Sequence, residues 1–167
     1  MVDQFSMAAE AFGAAVKRFT SHDDAIGALH DIAAGRPATA SELPASVRER
    51  LGDLAYVPPH AIDTAEVGIS FATAGIAATG SLLLELSDPV ARSATALPPI
   101  HAVFLKASTI APDLNALKPT LNALLSSPGS RYFSIITGPS RTADIERVLT
   151  IGVHGPKELH ILILEGE

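Results

Sequence analysis

The sequence predicts an α/β fold, a three-layer αβα domain with a mostly parallel sheet, preceded by N-terminal helices. Three observations carry that expectation. ELHILIL (158–164) is apolar on both faces, as a strand is in mid-sheet beneath helices on either side. RYFSIIT (131–137), a turn and an expected helix over 142–149 come before it. Together they read as a strand–helix–strand unit, short but sufficient for a right-handed parallel crossover. The first sixty residues, by contrast, carry helical spacing.

In order along the chain, Phe5, Ala8, Phe12, Ala15, Val16 and Phe19 recur at helical spacing and predict one apolar helix face. Ser21 is placed to cap a second helix, with Asp23 and Asp24 near the positive end of its dipole and Gly35 as its stop. A short third helix is expected over 44–51, ending at Gly52. From residue 54 the pattern turns to short strands: LAYV (54–57), VGIS (67–70), SLLLEL (81–86) and IHAVFLK (100–106). A helix is expected over 112–125, with Pro112 in its first turn and Pro119 as a kink. This divides the chain into a helical segment, 1–53, packed on an α/β domain, 54–167. No internal repeat or low-complexity tract is visible.

Composition limits the function classes. The chain has 167 residues, 47% hydrophobic and 18% charged, enough for one sizeable core. Mean hydropathy is +0.30, and the uncharged run 67–84 is the candidate for a membrane span. Its glycines among Ser and Thr fit buried strands and turns better, and no membrane span is expected. The N-terminus carries an early Asp3 and lacks a basic flank, so a cytoplasmic location is expected. The absence of cysteine rules out disulfides, a thiol nucleophile and thiolate-held clusters within this chain. Net charge is −6, and residues 1–66 hold ten acidic against five basic side chains. Without a basic stripe, nucleic acid is not an expected partner. The apolar content is compatible with a homo-oligomer but specifies no interface.

Two loops carry candidate chemistry. In TGPSR (137–141), Gly138 allows an unusual backbone angle, while Ser140 or Thr142 can cap the helix expected next. Free N–H groups of Ser140 to Thr142 would seat an anion, with Arg141 as a bidentate counter-charge. Capping alone requires the same residues, so both readings stand. In AGIAATGSL (74–82), Thr79, Gly80 and Ser81 offer hydroxyls and a sharp turn, fit for a ligand wall or for close packing. His154, in the turn GVHGP, is a candidate ligand-facing donor, whereas His160 reads as a packed histidine. No metal is expected, since neither a helical histidine pair nor cysteine is present, and no cofactor is assigned. Neither GxSxG nor a Walker-type loop occurs.

TGPSRTADIERVLTIGVHGPKELHILIL (137–164) resembles the C-terminal signature of the lactate-utilisation protein C family, the LUD domain. VGIS, GIAATGSLLL (75–84) and LPPIHAVFLKASTIAPDL (97–114) fit the same family. The resemblance implies a fold similar to sugar-phosphate isomerases and CoA transferases. It also implies a role in L-lactate oxidation to pyruvate beside iron–sulfur partner proteins. Family members usually carry Glu in the pattern AETGT, where this chain has Ala78, and alanine offers no acid–base or nucleophilic group. The expected function is therefore an accessory, non-catalytic subunit with an anionic-metabolite pocket formed by TGPSR, Thr79 to Ser81 and His154. The alternative is an independent enzyme or sensor that binds a sugar phosphate or acyl-CoA.

Overall fold

The computed structural model describes residues 1–40, 42–126, 128–129, 131–143, 149–151 and 154–166. Its centre is a five-stranded parallel sheet in the order β1-β11-β6-β3-β2. These strands are β1 (Ala15–Phe19), β2 (Ala38–Ala40), β3 (Val67–Phe71), β6 (Ile100–Lys106) and β11 (Glu158–Leu164). As its sequence predicts, β11 lies inside the sheet, parallel to β6 on one side and β1 on the other. Its Ile161 and Ile163 join one core cluster, and Leu162 and Leu164 join another on the opposite face. A strand so placed needs apolar side chains at every position, which explains the unbroken run.

Helices cover both faces. Under one face lie α2 (His22–Ala33) and α3 (Ala45–Arg48), contributing Leu29 and Val47. Ser21 Oγ accepts from Asp23 N–H at 3.1 Å, and left-handed Ala34 and Gly35 end α2. The other face carries α1 (Val2–Ala11) and α4 (Pro89–Ala96), with Phe5, Ala9 and Ala91 in its core. The same outer layer holds a second sheet, ordered β7-β4-β5-β8. Its members are β4 (Ala74–Ile76), β5 (Ser81–Glu85), β7 (Ile110–Ala111) and β8 (Phe133–Ile136). The run 67–84 is thus β3, β4 and β5, and among the described residues no helix is long and apolar enough to cross a membrane.

Several elements differ from expectation. The helix predicted through Phe19 stops at Ala11, because Gly13 takes φ +90°, and β1 follows. Val16 and Phe19 would share a helix face, but in β1 they pack against opposite clusters, as an odd separation requires in a strand. The N-terminal third therefore supplies both edge strands, β1 and β2, as well as helices. Of LAYV, only Tyr56 makes an isolated bridge, to Ala38. Helix α5 (Lys118–Leu125) starts late, so Pro119 sits in its first turn, where its missing N–H costs nothing, and it makes no kink. Helix α4 was not anticipated, although Asp88 accepts from Val90 N–H at 3.0 Å and Pro89 opens it.

One substitution tests how well the helical layer is placed. Gly27 lies within α2, and a methyl group added there would meet nothing within 4 Å. Gly27→Ala is expected to raise stability by about 0.5–1 kcal/mol through helix propensity. Urea denaturation would show this as a higher midpoint at unchanged slope.

Candidate functional site

Two loops and a helix converge over the amino ends of β6 and β11. The first loop follows β8. Its Gly138 has φ +68°, and a Cβ there would lie 2.5 Å from Phe12 O, so only glycine fits. Arg141 Nη2 donates to that same carbonyl at 2.6 Å, fastening the loop to the end of α1. Ser140 N–H donates to Pro156 O at 2.9 Å, which joins the loop to the turn before β11.

Between these loops and α4 lies a cavity of about 600 Å³. Its polar lining includes Arg92, His101, Ser140, Arg141 and His154, while Leu86, Ile136 and Tyr132 supply apolar surface. Among the described residues that line it there is no carboxylate. Arg92 is half-buried and fixed in place. Its Nη1 donates to Leu86 O at 3.0 Å and Ser87 O at 3.1 Å, and its guanidinium stands 5.3 Å from the Tyr132 ring centroid. Three of these interactions leave much of the five-donor fork for a ligand. His101 is 1% exposed, with Nε2 at 2.9 Å from Ser70 Oγ. Burial pushes its pKa down to about 4, so the imidazole is neutral at physiological pH.

Four of the residues singled out in the sequence meet at this cavity: Gly138, Ser140, Arg141 and His154. Thr79, Gly80 and Ser81 are not in its lining. They form the β4–β5 turn, where Gly80 abuts α1, its would-be Cβ only 2.1 Å from Ala9 N. Ser81 Oγ lies 2.7 Å from both Thr79 Oγ1 and Thr137 Oγ1, so this turn buttresses the cavity loop from behind.

The helix expected over 142–149 is not formed at its ends. Instead β9 (Arg141–Ala143) pairs antiparallel with β10 (Leu149–Ile151), Thr142 opposite Thr150. Residues 144–148, with Asp144 and Glu146, lie outside the described residues. The anticipated seat of helix N–H groups therefore does not arise, and the N–H of Ser140 is already bonded to Pro156. β-Branched Thr142, Thr150 and Ile151 favour the pairing that replaces it. Likewise β8 belongs to the second sheet, antiparallel to β5, so the cavity is not at the carboxyl end of a parallel strand. The guanidinium groups at the cavity are those of Arg141, singled out in the sequence, and of Arg92. The sequence reading missed Arg92, Tyr132 and His101. The Asp88–Pro89 cap was the available signal for the helix that carries Arg92.

Residues 60–164 match the family model of the LUD domain. Lactate utilization protein C of Macrococcus caseolyticus is 31% identical over 105 residues, covering 62% of this chain and 46% of that protein. The protein of the same name from Bacillus subtilis is 33% identical over 104 residues, covering 60% and 43%. An uncharacterized protein of Escherichia coli, YkgG, is 36% identical over 106 residues, covering 62% and 46%. The match thus spans less than half the length of each of these relatives. In fold, the chain is similar to the crystal structure of a DUF162 family protein from Deinococcus radiodurans. The TM-score is 0.71 at 16% identity, over 98% of this chain and 95% of that one.

Proposed function

The chain belongs to the LUD domain family, and on that premise we propose that it supports L-lactate oxidation to pyruvate as an accessory, non-catalytic subunit that holds an organic anion in the cavity beneath α4. One observation carries the anion: two arginines and two histidines line the cavity, with no carboxylate among its described residues. Guanidinium forks match carboxylate and phosphate oxygens in geometry as well as charge. The names of the relatives supply the lactate context. Iron–sulfur partner proteins would carry the electrons, since a chain without cysteine offers no thiolate ligands for a cluster. The accessory role is supported by Ala78, which stands where the family usually has Glu. It is exposed on the β4–β5 turn and brings no acid–base group.

Size favours a second reading of the ligand. A volume of about 600 Å³ lies in the range of pockets for drug-sized molecules and exceeds what a three-carbon acid fills. A sugar phosphate or acyl-CoA would use more of it, and the chain would then act as a sensor or independent enzyme.

One thermal-shift screen addresses both. Purified protein is heated with L-lactate, pyruvate, phosphate, sugar phosphates and CoA esters, beside Arg141→Ala and Arg92→Ala. A ligand at 100 times its Kd adds about 2.7 kcal/mol of stability. Loss of one charged hydrogen-bond donor is expected to weaken binding roughly 10- to 100-fold. The proposal predicts that at least one anion shifts the wild type and shifts each variant less. No shift with any anion, or equal shifts in all three proteins, would refute it.

A further inference from the structure

At the floor of the cavity, β3, β6 and β11 run side by side, and Gly68, His101 and Leu159 share one rung of the sheet. The missing side chain at Gly68 lets α4 settle over this rung, with His101 beneath it. The His101 ring lines the cavity and is almost wholly enclosed. Ser70 Oγ occupies Nε2 at 2.9 Å. Nδ1 has no hydrogen-bond partner among the described residues. A polar group enclosed at a cavity floor without a protein partner is costly unless a ligand or water meets it.

We propose that His101 is the inner recognition residue of the cavity, with Nδ1 forming a hydrogen bond to an uncharged oxygen of the bound anion, while Arg92 and Arg141 hold the anionic group. The assignment rests on the cavity binding an anion, as proposed above, and adds a substrate class. The ligand carries a carboxylate or phosphate and, apart from it, a hydroxyl or carbonyl oxygen. A neutral imidazole suits such an oxygen because Ser70 can fill the role that leaves Nδ1 as either donor or acceptor. Discrimination by this contact resembles other sites built to pair a substrate oxygen. An analogue that lacks the oxygen leaves the buried nitrogen unpaired and is rejected.

Matched probes read this directly. L-Lactate is compared with propionate, and glycerol 3-phosphate with propyl phosphate, by calorimetric titration of the purified chain. In at least one pair, wild type is expected to bind the oxygenated member about tenfold more tightly or better. His101→Gln, whose amide reaches toward Ser70 as Nε2 does, leaves the place of Nδ1 empty and should bring that ratio near one. His101→Asn, whose amide nitrogen falls near the place of Nδ1, should keep part of it. Arg92→Ala should weaken both members of the pair equally. Wild type that binds both members alike, or His101→Gln that keeps the wild-type ratio, would overturn the assignment while leaving anion binding intact. Failure of all four probes to bind wild type would overturn the assignment, and only if no anion of the thermal-shift screen binds either would the anion site beneath it fall too.

Discussion

Gly68→Ala is expected to lower stability by about 3 kcal/mol, at the upper end of the cost of forcing extra volume into a packed interior. The added Cβ would stand 1.8 Å from Ala94 O and 2.9 Å from Ala94 C, both backbone atoms that no rotamer change can move. Relief requires α4 to lift away from β3. That helix carries Arg92 and Thr95 into the cavity, so anion binding should weaken along with stability. Gly27→Ala, in open space on α2, is the matched control and should act in the opposite direction. Chemical denaturation of the two variants measures both. A Gly68→Ala protein within about 1 kcal/mol of wild type would mean that α4 does not pack on β3 so closely.

The second large effect is one of pH. In the unfolded chain the His101 imidazole takes up a proton near pH 6.5, whereas in the fold it stays neutral down to about 4 because burial disfavours the cation. Below pH 6.5 the unfolded state therefore binds a proton that the folded state refuses. Stability falls as pH drops through this interval and stops falling, on account of this group, below about 4. At ~1.4 kcal/mol per pH unit, the whole interval is worth about 3 kcal/mol. The informative quantity is the difference from a variant that lacks this group. His101→Gln keeps a partner for Ser70 and cannot titrate. Its stability should decline less steeply than that of wild type between pH 6.5 and 4, and identical slopes would contradict the buried neutral histidine.

Much of the fold was legible because the relevant signals are local. Strands β3, β5, β6 and β11 are apolar runs bounded by turns, and Ser21 with Gly35 marks both ends of α2. Where two periods fit the same residues, the local signal misled. Ala15, Val16 and Phe19 suit a helix or a strand, and Gly13, at φ +90°, marks the break between α1 and β1. Three-residue strands such as β9 and β10 are too short to show any period, and they exist through pairing with each other.

The site divides along the same line. Gly138, Ser140, Arg141 and His154 stood out as turn and charge chemistry within one short stretch, and they do meet. Arg92 lies on α4, His101 on β6, and Tyr132 just before β8. Their convergence is a property of the sheet order and of the packing of α4 on Gly68, neither of which is written locally. Inside IHAVFLK, His101 reads as one polar residue in a packed strand. The same principle explains why Thr79 and Ser81 were placed in the wall. The Thr79 hydroxyl is bonded to that of Ser81, and Ser81 in turn to that of Thr137, so the pair supports the cavity loop from behind.

The central claim is that the cavity beneath α4 binds an organic anion through its arginines. A crystal structure of the chain with the most stabilising anion from the screen tests it most directly. That anion is expected inside the cavity, with its charged oxygens within hydrogen-bond distance of the Arg92 or Arg141 guanidinium. An anion bound elsewhere on the chain, with Arg92 and Arg141 untouched, would contradict it.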